Sequence, residues 1–162
     1  MVDRNIHLPD EAATLALGAA LGRVLDPGLS IHLVGDLGAG KTTLARGVLR
    51  GLGWTGAVKS PTYTLVEVYE LSRLSLHHFD FYRFNDPREW SDAGFRESFN
   101  GHTVSLIEWP AKAGGLLPPP DVEIVLESSG DGRNASLRTH SARGRSSIDR
   151  LWQSFPPPHT PS

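Results

Sequence analysis

The sequence predicts an α/β domain, in which helices flank a sheet. An apolar run from Ser30 to Val34 leads through a glycine-rich loop into a helical pattern from Lys41 to Leu52, and several strand patterns follow. Strands and helices mixed in this way build a sheet covered by helices. The chain has 162 residues, a length typical of one domain. We place that domain at residues 1–155 and a flexible, proline-rich tail at residues 156–162.

The first helix is predicted from Asp10 to Val24, because apolar residues recur there at helical spacing. Asp26, Pro27 and Gly28 follow with the chemistry of a turn. The next apolar run is rich in β-branched residues and is typical of a buried strand. Glycines 51 and 53 end the second helix.

The remaining chain is predicted to be mostly strands. Alternating or continuous apolar residues indicate strands at Tyr63 to Leu71, Leu74 to Phe81, Thr103 to Ile107, Val122 to Leu126 and Ala135 to Thr139. Pro87 suits the first position of a helix from Arg88 to Ala93. A turn is predicted from Ser128 to Asn134 and a short helix from Ile148 to Phe155.

Composition excludes several classes of site. The formal net charge is -2, whereas a tight, non-specific nucleic-acid binder is usually strongly basic. The chain has no cysteine, which excludes disulfides, thiolate zinc sites, iron–sulfur clusters and a cysteine nucleophile. No apolar run approaches the roughly 20 residues of a membrane span, and the N-terminus lacks an apolar signal core. We expect a cytoplasmic protein with no membrane partner.

Residues 35–42 read Gly-Asp-Leu-Gly-Ala-Gly-Lys-Thr and match the phosphate-loop pattern G-x-x-x-x-G-K-[ST]. A strand pattern precedes them and a helix pattern follows, as that motif requires. Backbone N–H groups of such a loop face the phosphates, Lys41 places a positive charge against the β- and γ-phosphates, and Thr42 offers a hydroxyl to Mg²⁺. The motif predicts a nucleoside triphosphate and leaves open how its energy is used.

Two carboxylates are candidates for the metal or for the attacking water. Glu108 follows a predicted strand, and the carboxyl ends of parallel strands border the ligand crevice. Asp80 stands near the end of another strand and could hold a metal-bound water or orient the attacking one. For each of them a solvated carboxylate at a strand end is the alternative. His77 and His78 point to opposite faces of their strand, and we assign both to packed or surface positions.

Three further features have two interpretations each. Arg83 could stabilise charge in phosphoryl transfer or form a surface ion pair. Ser60-Pro61-Thr62 could be a switch that senses the γ-phosphate or a turn entering a strand. The basic stretch from Arg133 to Arg150 could bind RNA phosphates or an acidic partner, or it could be a solvated surface.

The phosphate loop alone admits several functions. A small kinase acting on a metabolite or nucleotide shares it, although no insertion long enough for an acceptor-binding domain is evident. A regulatory GTPase would need Asn-Lys-x-Asp and Asp-x-x-Gly elements, and the sequence has neither. A non-enzymatic RNA-binding module would use the basic stretch, against the net acidity of the chain.

Five segments in order resemble the TsaE (YjeE) family of bacterial P-loop ATPases of tRNA threonylcarbamoyladenosine biosynthesis. The resemblance extends from about Leu8 to Leu126. The segments are Leu8-Pro9-Asp10-Glu11 with Thr14, the loop at residues 35–43, Ser60-Pro61-Thr62-Tyr63-Thr64-Leu65-Val66, His78-Phe79-Asp80-Phe81-Tyr82-Arg83 and Ile107-Glu108-Trp109-Pro110. An arginine that often follows the last segment in the family is absent, and Lys112 is the nearest cation.

The resemblance implies a P-loop NTPase fold with a mostly parallel sheet, an antiparallel portion and flanking helices. It implies that Lys41, Asp80 and Glu108 serve catalysis and that Thr42 and Glu108 hold Mg²⁺. ATP is expected to bind at Gly35, Asp36, Leu37, Gly38, Ala39, Gly40, Lys41, Thr42 and Thr43, with Thr14 near the base. Ser60-Pro61-Thr62 becomes a switch by this resemblance, and Trp109 a functional neighbour.

The resemblance also implies partners. TsaD transfers the threonylcarbamoyl group, TsaB pairs with TsaD, and a TsaE protein uses ATP hydrolysis to reset that pair between rounds. We therefore expect a Mg²⁺-dependent ATPase that is weak without TsaB and TsaD and that contacts tRNA only indirectly or weakly.

Overall fold

The computed structural model describes residues 3–36, 38–86 and 95–155. Three expectations lie outside these residues: Leu37 in the loop, the helix from Arg88 to Ala93, and the tail at residues 156–162.

The described residues form an α/β fold, as predicted. Two short 3₁₀ helices, Phe95–Ser98 and Pro110–Leu116, accompany the main elements. Those elements are β1 Asp3–Leu8, α1 Glu11–Val24, β2 Ser30–Val34, α2 Lys41–Gly51, β3 Val66–Glu70, β4 Ser75–Asp80, β5 Thr103–Glu108, β6 Val122–Ser129, β7 Gly132–Thr139 and α3 Ala142–Ser154.

The strands form one sheet in the order β1-β7-β6-β2-β5-β4-β3. The four central strands, β6, β2, β5 and β4, run parallel. β7 and β1 add antiparallel pairs on one side, and β3 adds one on the other. The expected combination of a parallel sheet with an antiparallel portion is confirmed, with the parallel part confined to the centre.

β1 was not predicted. It lies at one edge of the sheet and pairs only with β7, with Ile6 opposite Ala135. Its polar residues, such as Asn5 and His7, dilute the apolar pattern because one face of this edge is exposed. The structure also corrects the predicted turn from Ser128 to Asn134: β6 and β7 extend into it and leave only residues 130–131 to connect them.

Two other boundaries differ from prediction by more than one residue. β3 begins at Val66 rather than at Tyr63, because residues 62–64 form a turn in which the Leu65 N–H donates to the Pro61 carbonyl. The last helix begins earlier than predicted, since the Ser141 side chain accepts the N–H of Gly144 and caps it.

The core lies on both faces of the sheet. Leu76 and Leu106 point into the larger cluster, which they share with the helices, whereas Phe79 and Ile107 point into a smaller cluster on the opposite face. This division follows from the alternation of side chains along β4 and β5. The packing fixes the sheet against α1 and α2, and therefore fixes the loop that enters α2.

Helices α1 and α2 approach each other closely through glycines. A Cβ atom built on Gly18 would lie 2.5 Å from the carbonyl oxygen of Leu44, a backbone atom that cannot move aside easily. The same holds at three further positions in this contact, Gly22, Gly47 and Gly51. The contact positions the first turn of α2, which follows the phosphate loop.

We expect Gly18→Ala to destabilise the protein by about 1–3 kcal/mol, the range for forcing extra atoms into a packed core. For a chain of this size each ~1 kcal/mol corresponds to about 2–4 °C in the melting temperature. Thermal unfolding followed by circular dichroism measures the loss. Gly101→Ala is the control, because a Cβ there meets no atom within 4 Å. Equal melting temperatures for the two variants would contradict the close-approach interpretation.

Candidate functional site

The glycine-rich loop connects β2 to α2 and is shaped by left-handed backbone conformations. Gly38 has φ 79° and Gly40 has φ 102°, values that favour glycine. Gly40 is also the N-cap of α2 and brings no side-chain acceptor to the first-turn amides. These amides and the positive end of the helix dipole therefore suit an anion.

A cleft of about 430 Å³ opens beside this loop. The smaller adjoining hollow, of about 220 Å³, is lined by Gly35, Asp36 and Trp109 among others. The main cleft gathers most of the predicted site residues, namely Thr14, Gly38, Gly40, Lys41, Thr42, Thr43, Asp80 and Glu108. Ala39 belongs to the loop, but it is buried and does not line the cleft.

Asp80 and Glu108 are brought together by the register of the sheet. They end β4 and β5 and lie directly opposite each other in that parallel pair. Glu108 also lies opposite Leu33 of β2, two residues before the phosphate loop starts. Both carboxylates thus stand at the carboxyl ends of the central strands, where ligand crevices of open α/β sheets form.

Glu108 is held by a buried hydrogen bond to His78. Their Oε2 and Nε2 atoms are 2.6 Å apart, and only 4% of Glu108 and 1% of His78 are exposed. The other ring nitrogen of His78, Nδ1, has no hydrogen-bond partner among the described groups. His77, on the opposite face of β4, contacts the Ser98 hydroxyl at 2.8 Å.

The contact between His78 and Glu108 was not predicted from the sequence, although the spacing of His78 and Asp80 indicated that His78 is near the site. His78 stands two residues before Asp80, so both side chains lie on the same face of β4. The packed role assigned to His78 is correct, but its neighbour is a carboxylate of the site.

Asp80 occupies a largely buried position, with 9% of the residue exposed. Its Oδ1 accepts the N–H of Tyr82 at 2.9 Å. Burial raises the pKa of Asp80, and the nearby Glu108 charge adds to this effect, while the Tyr82 N–H, His78 and Lys41 oppose it. The carboxyl of Asp80 therefore binds a proton more tightly than an exposed aspartate does.

Lys41 lies at the junction of the loop and the carboxylates. Its ammonium donates to the Gly35 carbonyl and lies 3.7 Å from the centre of the Trp109 ring. Burial lowers the pKa of Lys41, and the charges of Glu108, Asp80 and Asp36 counteract this. The cation is thus stabilised by an aromatic face and by acidic groups.

Trp109 adopts a left-handed backbone conformation, with φ 56° and ψ 51°. A bulky residue in this region is strained by the order of 1–3 kcal/mol, and such strain clusters at functional sites. The turn directs the chain away from β5 and places the ring against Lys41 and, at 5.0 Å between centroids, against Tyr82.

Comparison with known protein families supports the interpretation of the cleft. The family model described as threonylcarbamoyl adenosine biosynthesis protein TsaE matches residues 8–135. The chain belongs to the TsaE family. This agrees with the resemblance seen in the sequence.

Individual relatives agree with this assignment. The chain is 42% identical over 147 residues to the tRNA threonylcarbamoyladenosine biosynthesis protein TsaE of Haemophilus influenzae, covering 88% of this chain and 93% of the relative. It is 42% identical over 128 residues to the Bacillus subtilis protein of the same name, covering 79% and 78%. The crystal structure of Bacillus subtilis YdiB superposes with a TM-score of 0.82 at 28% identity, covering 94% of this chain and 96% of that one.

For this TsaE-family chain, the Ser60-Pro61-Thr62 segment lies partly at the cleft. Thr62 lines it, and the Thr62 hydroxyl is 2.7 Å from the Ser60 hydroxyl. Arg83 does not line the cleft; its guanidinium lies over the exposed ring of Tyr63, 4.8 Å from the centroid.

Several arginines of the basic stretch contact acidic side chains or backbone carbonyls of the chain itself. Arg150 contacts Asp26 at 2.8 Å, Arg143 donates to the Gly28 carbonyl, and Arg138 contacts Glu123 at 3.5 Å. Arg133 alone among these arginines lines the cleft, where it bonds to the phosphate loop. Sequence reasoning grouped it with the others because nothing local marks its contact with a loop almost 100 residues away.

The described residues contain no group of three or more His, Asp or Glu side chains that could by itself hold a metal ion. Mg²⁺ does not need such a cage, since it commonly binds one or two carboxylates together with substrate phosphates and water. The oxygen donors of Thr42, Asp80 and Glu108 line the same cleft and fit this mode.

As for membranes, none of the helices in the described ranges has the length and apolarity to cross one.

Proposed function

We propose that this chain binds and hydrolyses Mg-ATP as a component of tRNA N6-threonylcarbamoyladenosine biosynthesis, acting on the TsaB–TsaD complex to support its repeated turnover. One observation carries the proposal: the phosphate loop, Asp80 and Glu108 share a single cleft in a chain of the TsaE family. The volume of the cleft, about 430 Å³, lies within the roughly 300–1,000 Å³ of small-molecule sites.

The loop and Lys41 bind the polyphosphate. First-turn amides of α2 receive the phosphate oxygens, and the Lys41 ammonium exchanges its contact with the Gly35 carbonyl for the β- and γ-phosphates. Thr14 is buried at the start of α1 and lies near Gly40. We assign it to contact with the nucleotide base.

Thr42 and Glu108 would hold Mg²⁺ through the hydroxyl of the first and the carboxylate of the second. When bound, Mg²⁺ neutralises charge on the β- and γ-phosphate oxygens. His78 fixes one oxygen of Glu108 through the 2.6 Å hydrogen bond, which leaves the other oxygen for the metal. A hydrogen bond of this kind orients a metal ligand, and mutating such partners typically weakens the site.

Asp80 orients the attacking water. Its carboxylate accepts a hydrogen bond from the water, whose oxygen forms a bond to the γ-phosphorus while the bond to the ADP oxygen breaks. The Tyr82 N–H fixes one oxygen of Asp80 and leaves the other for this task. Hydrolysis yields ADP and inorganic phosphate, and the water proton leaves with the phosphate or through Asp80.

Ser60-Pro61-Thr62 couples hydrolysis to the partners. Its position between the cleft and the exposed Tyr63, which is 82% accessible, lets one segment meet both nucleotide and protein. TsaB and TsaD are the partners we infer, and tRNA is reached only indirectly or weakly.

Asp80→Asn is expected to raise stability at neutral pH and to reduce hydrolysis. A folded-state pKa above the ordinary value favours the protonated acid; this stability is present at low pH and is lost as pH rises through the folded pKa of Asp80. Asparagine is neutral throughout and avoids the loss. The melting temperature should therefore exceed that of wild type at pH 7, with the difference vanishing below the ordinary aspartate pKa of about 3.9.

Asp149→Asn is the control for Asp80→Asn, since its side chain is 49% exposed on α3. Melting temperatures from pH 3 to 8 and hydrolysis at pH 7 are measured for both variants. A melting temperature of Asp80→Asn below wild type at pH 7 would contradict the burial interpretation, and full activity would remove Asp80 from catalysis.

Product analysis tests the proposed reaction against the kinase alternative. ³¹P NMR of Mg-ATP incubated with the protein should show ADP and inorganic phosphate in equal amounts, also when small metabolites are added. Appearance of a phosphorylated metabolite with less inorganic phosphate would favour a kinase.

A further inference from the structure

Arg133 ties the β6–β7 hairpin to the phosphate loop. Its Nε donates to the carbonyl of Ala39 at 2.9 Å and its Nη2 to the carbonyl of Gly38 at 2.8 Å. The third nitrogen, Nη1, donates to the Gly132 carbonyl at 2.8 Å. All three nitrogens of one guanidinium thus bind backbone carbonyls, and two of these belong to successive residues of the loop.

These two contacts bear on how the loop faces an anion. A carbonyl oxygen that faces a phosphate repels it, and the Arg133 guanidinium engages the carbonyl oxygens of Gly38 and Ala39. In a trans peptide the C=O and the following N–H point to opposite sides. Holding the Ala39 carbonyl therefore directs the Gly40 N–H away from Arg133, while the Ala39 N–H is already used by the Asp36 carbonyl at 3.0 Å.

Arg133 lies on a well-packed part of the sheet. It pairs with Leu8 of β1 and Ser128 of β6 in the two antiparallel ladders. A Cβ atom on the preceding Gly132 would lie 2.3 Å from the Leu8 carbonyl oxygen, so the backbones are in close contact. The planar fork of arginine suits two acceptors side by side, which an ammonium cannot match.

We propose that Arg133 is a positioning residue of the nucleotide site: it holds the carbonyls of Gly38 and Ala39 out of the cleft and thereby presets the loop for a polyphosphate. The inference rests on the proposed binding of ATP at this loop. It gives the antiparallel edge of the sheet, β1 and β7, a part in nucleotide binding.

The test compares Arg133→Gln and Arg133→Lys with Arg138→Gln, a control on the same strand whose guanidinium contacts Glu123. Calorimetry measures the dissociation constants of Mg-ATP and Mg-ADP. Hydrogen exchange read by mass spectrometry follows the loop peptide without nucleotide. Circular dichroism shows whether each variant is folded. If Arg133→Gln is not folded, Arg133→Lys is used for the comparison.

Both Arg133 variants should bind Mg-ATP and Mg-ADP about ten-fold or more weakly, since the loop loses the two hydrogen bonds from a charged donor that hold its carbonyls. Exchange of the loop amides should accelerate in both variants. Arg138→Gln should match wild type in both measurements. Lysine should fail to restore binding, because charge without the fork does not hold two carbonyls.

Two results would overturn the inference. Full restoration by lysine would mean that charge alone matters. Unchanged loop exchange with a loss of affinity confined to ATP would mean that Arg133 contacts the γ-phosphate directly. Failure of the wild-type protein to bind ATP would instead refute the proposed function. Hydrogen exchange of the loop peptide without nucleotide would still show whether Arg133 holds the loop.

Discussion

Lys41→Met is expected to reduce Mg-ATP hydrolysis by about 10²-fold or more, the cost seen when one preorganised donor is removed from a charge-stabilising site. The Lys41 ammonium donates to the loop carbonyl of Gly35 and interacts with the charges of Glu108 and Asp80. Methionine keeps the length of the side chain and its contact with Trp109 but cannot bind phosphate. Steady-state phosphate release in the presence of TsaB and TsaD measures the effect.

Arg145→Met is the matched control, because it removes one positive charge from an exposed position on α3, outside the cleft. Its rate should equal that of wild type. If Lys41→Met hydrolysed ATP at the wild-type rate, the loop would not be the nucleotide site.

Glu108→Gln should also reduce hydrolysis by about 10²-fold, because the carboxylate that we propose as a Mg²⁺ ligand loses its charge. Glutamine is nearly isosteric and still accepts the His78 hydrogen bond, so the fold should remain intact. We expect the dependence of ATP affinity on Mg²⁺ to shrink, while affinity in the presence of a chelator stays as in wild type. Calorimetric titrations with and without Mg²⁺ measure this difference.

Glu123→Gln controls for loss of a strand carboxylate, since Glu123 also lies on a central strand and contacts a cation, Arg138. It should leave hydrolysis and the Mg²⁺ dependence unchanged. An undiminished Mg²⁺ effect in Glu108→Gln would remove Glu108 from the metal site.

Features that depend on neighbouring residues could be predicted from the sequence. The glycine-rich loop between β2 and α2 is one such feature, because its own glycines permit the left-handed conformations that the turn requires. The central strands were also predictable, since β2 and β5 are buried on both faces and are short, largely apolar and β-branched segments. Placing Asp80 and Glu108 at strand ends then brought them to the correct edge of the sheet.

Features that depend on distant pairing could not be predicted. Arg133 reaches the loop only because β7 pairs with β1 and β6, and β1 itself has too weak an apolar pattern to be recognised. The hydrogen bond from His78 to Glu108 depends on the register between β4 and β5. Strand order and register arise from the whole core, which no local pattern encodes.

We propose that this chain is an ATPase whose hydrolysis is coupled to TsaB and TsaD. The most direct test is the rate of Mg-ATP hydrolysis by the purified protein alone and with added TsaB–TsaD, with Lys41→Met as the blank. We expect slow hydrolysis by the protein alone and clear stimulation by the pair. An unchanged rate with the pair present, while ATP still binds, would contradict it.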